Sequence, residues 1–189
     1  RIISEANKNL YEGAPEHEIK EALVLSARSL VEVEPNYTFA TARILLDSLR
    51  SEGLGFLELA ENATHAEMKE LYPQALSSFI KKGIELELLN PELVTYDLDR
   101  LGKAIKADKD LLFSYLGIQT LYDRYFIHSN EIRFELPQVF FMRVAMGLAL
   151  NEDNREERAL EFYDLLSSFD YMSSTPTLFN SGTMHSQLS

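Results

Sequence analysis

Arg143 lies inside an apolar run, residues 139–150, where a guanidinium needs a partner. Two chemistries suit it: an ion pair with a buried carboxylate, which its surroundings favour, or a contact to a phosphate group. Glu152-Asp153 with Glu156-Glu157, and Glu67 with Glu70, could pair carboxylates for acid–base work or for a divalent cation. At helix starts the same residues offset the helix dipole, which is their commoner use. His17, His65, His128 and His185 stand apart, and no two share the i, i+4 spacing that puts both imidazoles on one helical face, so they read as surface histidines. Leu101-Gly102-Lys103 lacks the rest of a phosphate-binding loop and reads as a helix end or a packing glycine. Thr175 precedes Pro176, which lacks an N–H and restricts its neighbour to extended backbone. That conformation could aim the threonine into a cleft; an ordinary turn or strand exit fits the same residues.

Composition narrows the field. The 189 residues contain no cysteine, which excludes disulfides, thiolate metal sites and thiol chemistry within them. A net charge of -12 opposes unaided binding to nucleic acid or to an anionic membrane. With 46% hydrophobic and 11% aromatic residues the chain has enough apolar surface for a core. No cationic segment followed by an apolar one opens it, and the run 139–150 is too short to span a bilayer, so a cytoplasmic protein is expected. In that compartment the sequon Asn62-Ala63-Thr64 carries no meaning.

The elements that must position these residues read as helix after helix. Residues 1–10 look like the remainder of one; Ile19, Leu23, Ala27 and Leu30 predict another from Pro15 to about Val33. A helix from Tyr37 to about Arg50 is expected to stop at Gly53 and Gly55. Thr64-His65-Ala66-Glu67 predicts a capping box, with the threonine oxygen accepting the Glu67 N–H, before a short helix that Pro73 interrupts. Another follows to about Leu89, and residues 97–106 give a weaker helical signal. From Asp108, the stripe Leu111, Tyr115, Ile118 and Tyr122, widened by Leu112 and Leu116, predicts a central helix. A hairpin about His128-Ser129-Asn130, a helix from Pro137 to Leu150, and a helix opened by Asn154-Arg155-Glu156-Glu157 with Ala159, Phe162, Tyr163, Leu166 and Phe169 inward complete the pattern. Tyr171-Met172-Ser173 is a candidate strand.

Several runs then resemble one family in order: Glu34-Pro35-Asn36-Tyr37 with Ala42-Arg43-Ile44-Leu45-Leu46, Asp110-Leu111-Leu112-Phe113-Ser114-Tyr115-Leu116-Gly117, Leu121-Tyr122-Asp123-Arg124-Tyr125, and Glu135-Leu136-Pro137-Gln138 with Phe141-Met142-Arg143-Val144-Ala145-Met146-Gly147. Phe162-Tyr163-Asp164-Leu165-Leu166-Ser167 and the segment 174–189 follow. Together they resemble the amino-terminal portion of the large, catalytic subunit of class I ribonucleotide reductase. The resemblance implies a mainly α fold in three parts: a partial, degenerate ATP-cone at 1–35, a helical domain at 36–170, and at 171–189 the first strand of a ten-stranded α/β barrel.

It also implies an oxidoreductase that makes deoxyribonucleotides by thiyl-radical chemistry. A transient thiyl abstracts a ribose hydrogen and a cysteine pair reduces the 2′ carbon. No catalytic, cofactor or metal residue is expected in this chain. The partners implied are the carboxy-terminal remainder of the large subunit, a small subunit carrying a metal-dependent radical cofactor, and a nucleoside diphosphate substrate, in an oligomer; dNTP effectors bind elsewhere in the subunit. Thr175 and Ser189 match residues that contact the substrate, Ser189 standing just before the expected redox cysteine. In the family the positions of Pro15 and Glu16 more often carry a lysine and a hydroxyl residue that help hold ATP or dATP, Ser51 stands near where another lysine is usual, and a carboxylate beside a triphosphate costs Coulomb energy. The absence of any Glu-x-x-His argues against the radical-generating small subunit. The alternative is a stand-alone helical regulatory or interaction module, against which the unclosed segment up to Ser189 counts. That segment is expected to be poorly ordered until barrel neighbours satisfy its backbone.

Overall fold

The computed structural model describes residues 1–185, 187 and 188, and they are helical nearly throughout. In chain order come α1 (Ile2–Ala6), α2 (Glu16–Ser29), α3 (Tyr37–Phe56), α4 (Met68–Glu85), α5 (Leu98–Ala104) and α6 (Tyr115–Arg124). A hairpin of β1 (His128–Ser129) and β2 (Ile132–Arg133) leads to α7 (Pro137–Ala149), α8 (Arg155–Ser167) and α9 (Thr175–Asn180). Pro91–Thr95 and Ala107–Leu112 form 3-10 turns.

The centre is α7. Pro137 starts it at a position where no N–H is needed, and every side chain from Val139 to Met146 is buried, so the helix is covered on all sides. Its most extensive neighbour is α8, which turns Ala159, Tyr163 and Leu166 inward. Phe162 is only partly covered and Phe169 is 39% exposed, so the expected inward stripe holds in its middle. The segment expected to be central is not. Ser114 caps α6 by accepting the Gly117 N–H at 3.2 Å, which splits the pattern, and Leu112 and Leu116 are 50% and 73% exposed. An apolar stripe shows that a face can be covered, not that anything covers it.

Helix ends depart from expectation for one recurring reason. Helix α3 runs through Gly53, whose bare Cα packs on Leu136, and ends where Glu58 takes φ 57° while the Leu59 N–H reaches back to the Leu54 carbonyl. Helix α4 likewise runs through Pro73 and ends at Glu87, also at φ 57°. Glutamates occupy left-handed positions where glycine would have signalled a stop. Pro73 forfeits one helical hydrogen bond, and its backbone receives Gly102, which is a packing glycine within α5. Before α4, Glu67 reaches back to the Thr64 N–H at 2.8 Å, but the Thr64 hydroxyl donates to the same carboxylate at 2.7 Å instead of accepting the Glu67 N–H.

The hairpin turns at Asn130-Glu131, both at positive φ, one step later than expected, pairing His128 with Arg133 and Ser129 with Ile132. Residues 171–174 form no strand, and among the described residues the sheet consists of β1 and β2 alone. A strand needs a paired neighbour, and here the chain passes directly into α9. Among the described residues no helix is long and apolar enough to cross a membrane.

Candidate functional site

Arg143 is built into α7 with its side chain at 0% exposure, facing the equally buried Glu135. The pair is bidentate: Arg143 Nε donates to Glu135 Oε1 at 2.8 Å and Nη2 to Oε2 at 3.1 Å. Glu135 Oε2 also accepts the Ile127 N–H at 2.9 Å, which ties the hairpin's first arm to the same charge. The remaining nitrogen, Nη1, donates to the carbonyls of Ser181 at 2.8 Å, Leu178 at 3.1 Å and Phe179 at 3.4 Å. These carbonyls close the carboxy-terminal end of α9, where a cation is favoured. The ion pair is therefore the answer for Arg143, and every nitrogen is engaged within the fold.

That anchoring sets the place of Thr175. Ser174 carries the extended backbone, ψ 157°, and Thr175 is the first residue of α9, with Pro176 next in the first turn. The extended position expected of Thr175 thus falls one residue earlier, because a first helical turn accepts proline without losing a hydrogen bond. Thr175 is exposed, and its Oγ1 lies 3.1 Å from the Tyr125 hydroxyl. The Tyr125 ring stacks on Phe179 at 4.7 Å between centroids and meets Phe140 edge-on. Leu178 and Ser181 are buried, and the Ser181 hydroxyl donates to the Val144 carbonyl at 2.7 Å.

Backbone meets backbone just beyond. A Cβ on Gly147 would come within 2.1 Å of the Gly182 nitrogen, and Gly182 itself sits at φ 75°. Residues 182–184 then lie antiparallel to 88–90: the Asn90 N–H donates to the Gly182 carbonyl at 3.0 Å and the Met184 N–H to the Leu88 carbonyl at 3.2 Å. Residues 174–184, part of the segment expected to be poorly ordered, lie against α7 and pair with the loop after α4. Ser189, the second candidate contact residue, lies outside the described residues.

A second buried network supports α7 from the other side. Asp110 accepts from the Tyr72 hydroxyl at 2.8 Å and from Gln138 Nε2 at 2.9 Å, and Gln138 in turn accepts from the Tyr163 hydroxyl. Burial raises the Asp110 pKa above the ordinary carboxylate value, and these donors, with Arg50 at 3.6 Å, oppose the rise. His65 bridges Asp108 at 3.1 Å and Arg50 at 3.4 Å. Four of the clustered carboxylates are held by neighbours: Glu157 pairs with Arg100, Glu152 with Arg158, Glu156 with Arg155, and Glu67 binds Thr64. Among the described residues no group of three or more His, Cys, Asp or Glu is arranged to hold a metal ion.

An open cleft of about 960 Å³ is lined by residues of α2, α3 and α6. Lys20 spans it, bound to Glu16 at 2.9 Å and to the Ser51 hydroxyl at 3.1 Å. Glu52 accepts from the Tyr122 hydroxyl at 2.9 Å and from the Arg133 N–H; burial, with Glu52 beside it, pushes the Tyr122 pKa up to about 12. Glu21 and Asp123 add two further carboxylates, so the lining is acidic on balance.

The ribonucleotide reductase all-alpha domain matches residues 111–186, a stretch that begins beside Asp110 and takes in Glu135, Arg143 and Thr175. The ribonucleoside-diphosphate reductase subunit alpha of Chlamydia trachomatis serovar D is 47% identical over 182 residues, covering 96% of this chain and 17% of that protein. The chain belongs to the ribonucleotide reductase large-subunit family. The subunit alpha of Helicobacter pylori is 37% identical over 91% of the chain and 20% of its own length, and the large subunit of Danio rerio 31% identical over 100% and 22%. The chain spans about a fifth of the length of these relatives and matches an amino-terminal portion.

Within the ribonucleotide reductase domain, sequence reasoning had marked Arg143 and Thr175 separately. It missed Glu135, which pairs with Arg143, and Tyr125, whose hydroxyl meets that of Thr175. Glu135 was signalled by its place eight residues before Arg143, in the same matching run; Tyr125 closes another matching run, but it lies fifty residues from Thr175 and nothing linked the two. Because removal of one partner strands a buried charge, Arg143→Met is expected to lower unfolding free energy by about 3–5 kcal/mol. Urea denaturation checks this, and a loss below about 1 kcal/mol would contradict the role given to the pair.

Proposed function

We propose that the chain is the helical, Thr175-bearing part of a ribonucleoside-diphosphate reductase large subunit, and that the complete subunit reduces ribonucleoside diphosphates to deoxyribonucleotides. In this reading 1–35 is a partial ATP-cone, 36–170 the helical domain and 171–189 the entry to the α/β barrel. The thiols act from the rest of the subunit: a thiyl takes a ribose hydrogen, the 2′ hydroxyl leaves as water, two thiols supply the two reducing equivalents and become a disulfide, and the abstracted hydrogen returns to the ribose so that the thiyl is restored. A small subunit with a metal-dependent cofactor supplies the radical, and the assembly works in the cytoplasm. Thr175 and Ser189 contact the substrate.

One observation carries this reading: Thr175 is exposed at the start of α9, while the other end of that helix is fixed by Arg143. An anchored hydroxyl can donate to a diphosphate oxygen without first losing chain entropy. On a chain of net charge -12 such local donors must supply the attraction. Thr175→Ala in the complete large subunit, assayed with its radical subunit and a dithiol, is expected to raise the nucleoside diphosphate KM about fivefold, the worth of one hydrogen bond, with kcat nearly constant. An unchanged KM would remove Thr175 from the substrate site.

The cleft beside α2 bears on the cone. Lys20 is held by Glu16 and Ser51, and the surrounding carboxylates outnumber the cations, so ATP and dATP are expected not to bind residues 1–51. Calorimetry on the chain checks this; one saturable site at micromolar concentration, abolished by changes at Glu16, would overturn it.

A further inference from the structure

We propose that Tyr125 is a positioning residue for the substrate, acting through Thr175; the inference rests on the reading of Thr175 as a substrate contact. Tyr125 ends α6, and its side chain lies along one face of α9. Thr175 and Phe179 are four residues apart, which puts them one above the other on that face. The tyrosine ring covers Phe179 and its hydroxyl reaches the Thr175 Oγ1 at 3.1 Å. Phe140 of α7 closes on the ring edge-on, so the ring is held from two sides.

The chemistry sets the direction of the hydrogen bond. A threonine hydroxyl has one proton and two acceptor lone pairs. A nucleoside diphosphate offers anionic phosphate oxygens, which accept and cannot donate, so Thr175 must give them its proton. Tyr125 must then be the donor to Thr175. The chain runs Tyr125 O–H to Thr175 O–H to phosphate oxygen, each bond polarising the next, and the stacked ring fixes the rotamer from which the threonine points. Without Tyr125 the threonine hydroxyl is free to turn toward other acceptors, such as backbone carbonyls of its own helix.

Tyr125→Phe removes the donor and keeps the ring, so the stack on Phe179 survives and the thermal midpoint should stay within about 2 °C. In the complete large subunit with its radical subunit, this variant is expected to raise the nucleoside diphosphate KM about threefold to fivefold at nearly constant kcat. The deciding arm is the double variant. If Tyr125 acts through Thr175, adding Tyr125→Phe to Thr175→Ala raises KM no further. A normal KM for Tyr125→Phe, or an effect of the same size in both backgrounds, overturns the inference while leaving Thr175 as a contact. A normal KM for Thr175→Ala overturns the reading of Thr175 itself, and the inference with it.

Discussion

A guanidinium carries five N–H donors and cannot shed its charge, so a fully buried one dictates what surrounds it. In this chain that group is Arg143. Its fork faces Glu135, and its third nitrogen gathers the last carbonyls of α9. Glu135 also holds the Ile127 N–H, so one charge pair joins the arm of the hairpin, the central helix and the segment that follows α8. A hydrophobic pair could fill the same volume at comparable stability, but it could not hold three carbonyls at one point. What the ion pair supplies is placement.

The placement matters because the chain has no cysteine and an acidic surface. Its part in ribonucleotide reduction, as proposed, is to hold a donor still where a substrate arrives. Gly147 and Gly182 let the backbone after α9 lie directly on α7, and the pairing of 182–184 with 88–90 fastens it to the loop after α4. The Asp110–Gln138–Tyr163 network does for the opposite face of α7 what Glu135 does for this one.

Much of this was legible because it is local. Pro137 marked the start of α7, Asn154-Arg155-Glu156-Glu157 the start of α8, and a lone arginine in an apolar run favoured a buried carboxylate over a phosphate. Runs in a fixed order pointed to the ribonucleotide reductase family. The rest depended on contacts far apart in sequence. Nothing near Thr175 reveals Tyr125, and nothing near Arg143 reveals the Ser181 carbonyl. The apolar stripe after Asp108 did not reveal that Leu116 would be left bare, and glutamates at left-handed φ hid the ends of α3 and α4. The strand expected at 171–173 finds no pairing neighbour among the described residues, and pairing is a contact that local sequence does not show.

Arg143 anchors the Thr175 segment to the central helix α7. Amide hydrogen exchange tests this anchoring most directly, at the Ser181 N–H, bonded to the Thr177 carbonyl, and the Asn90 N–H, bonded to Gly182. In the unaltered chain both should exchange slowly, and in Arg143→Met both should lose protection while the amides of α8 keep theirs. Fast exchange at Ser181 and Asn90 in the unaltered chain, or protection that survives the loss of Arg143, would contradict the account.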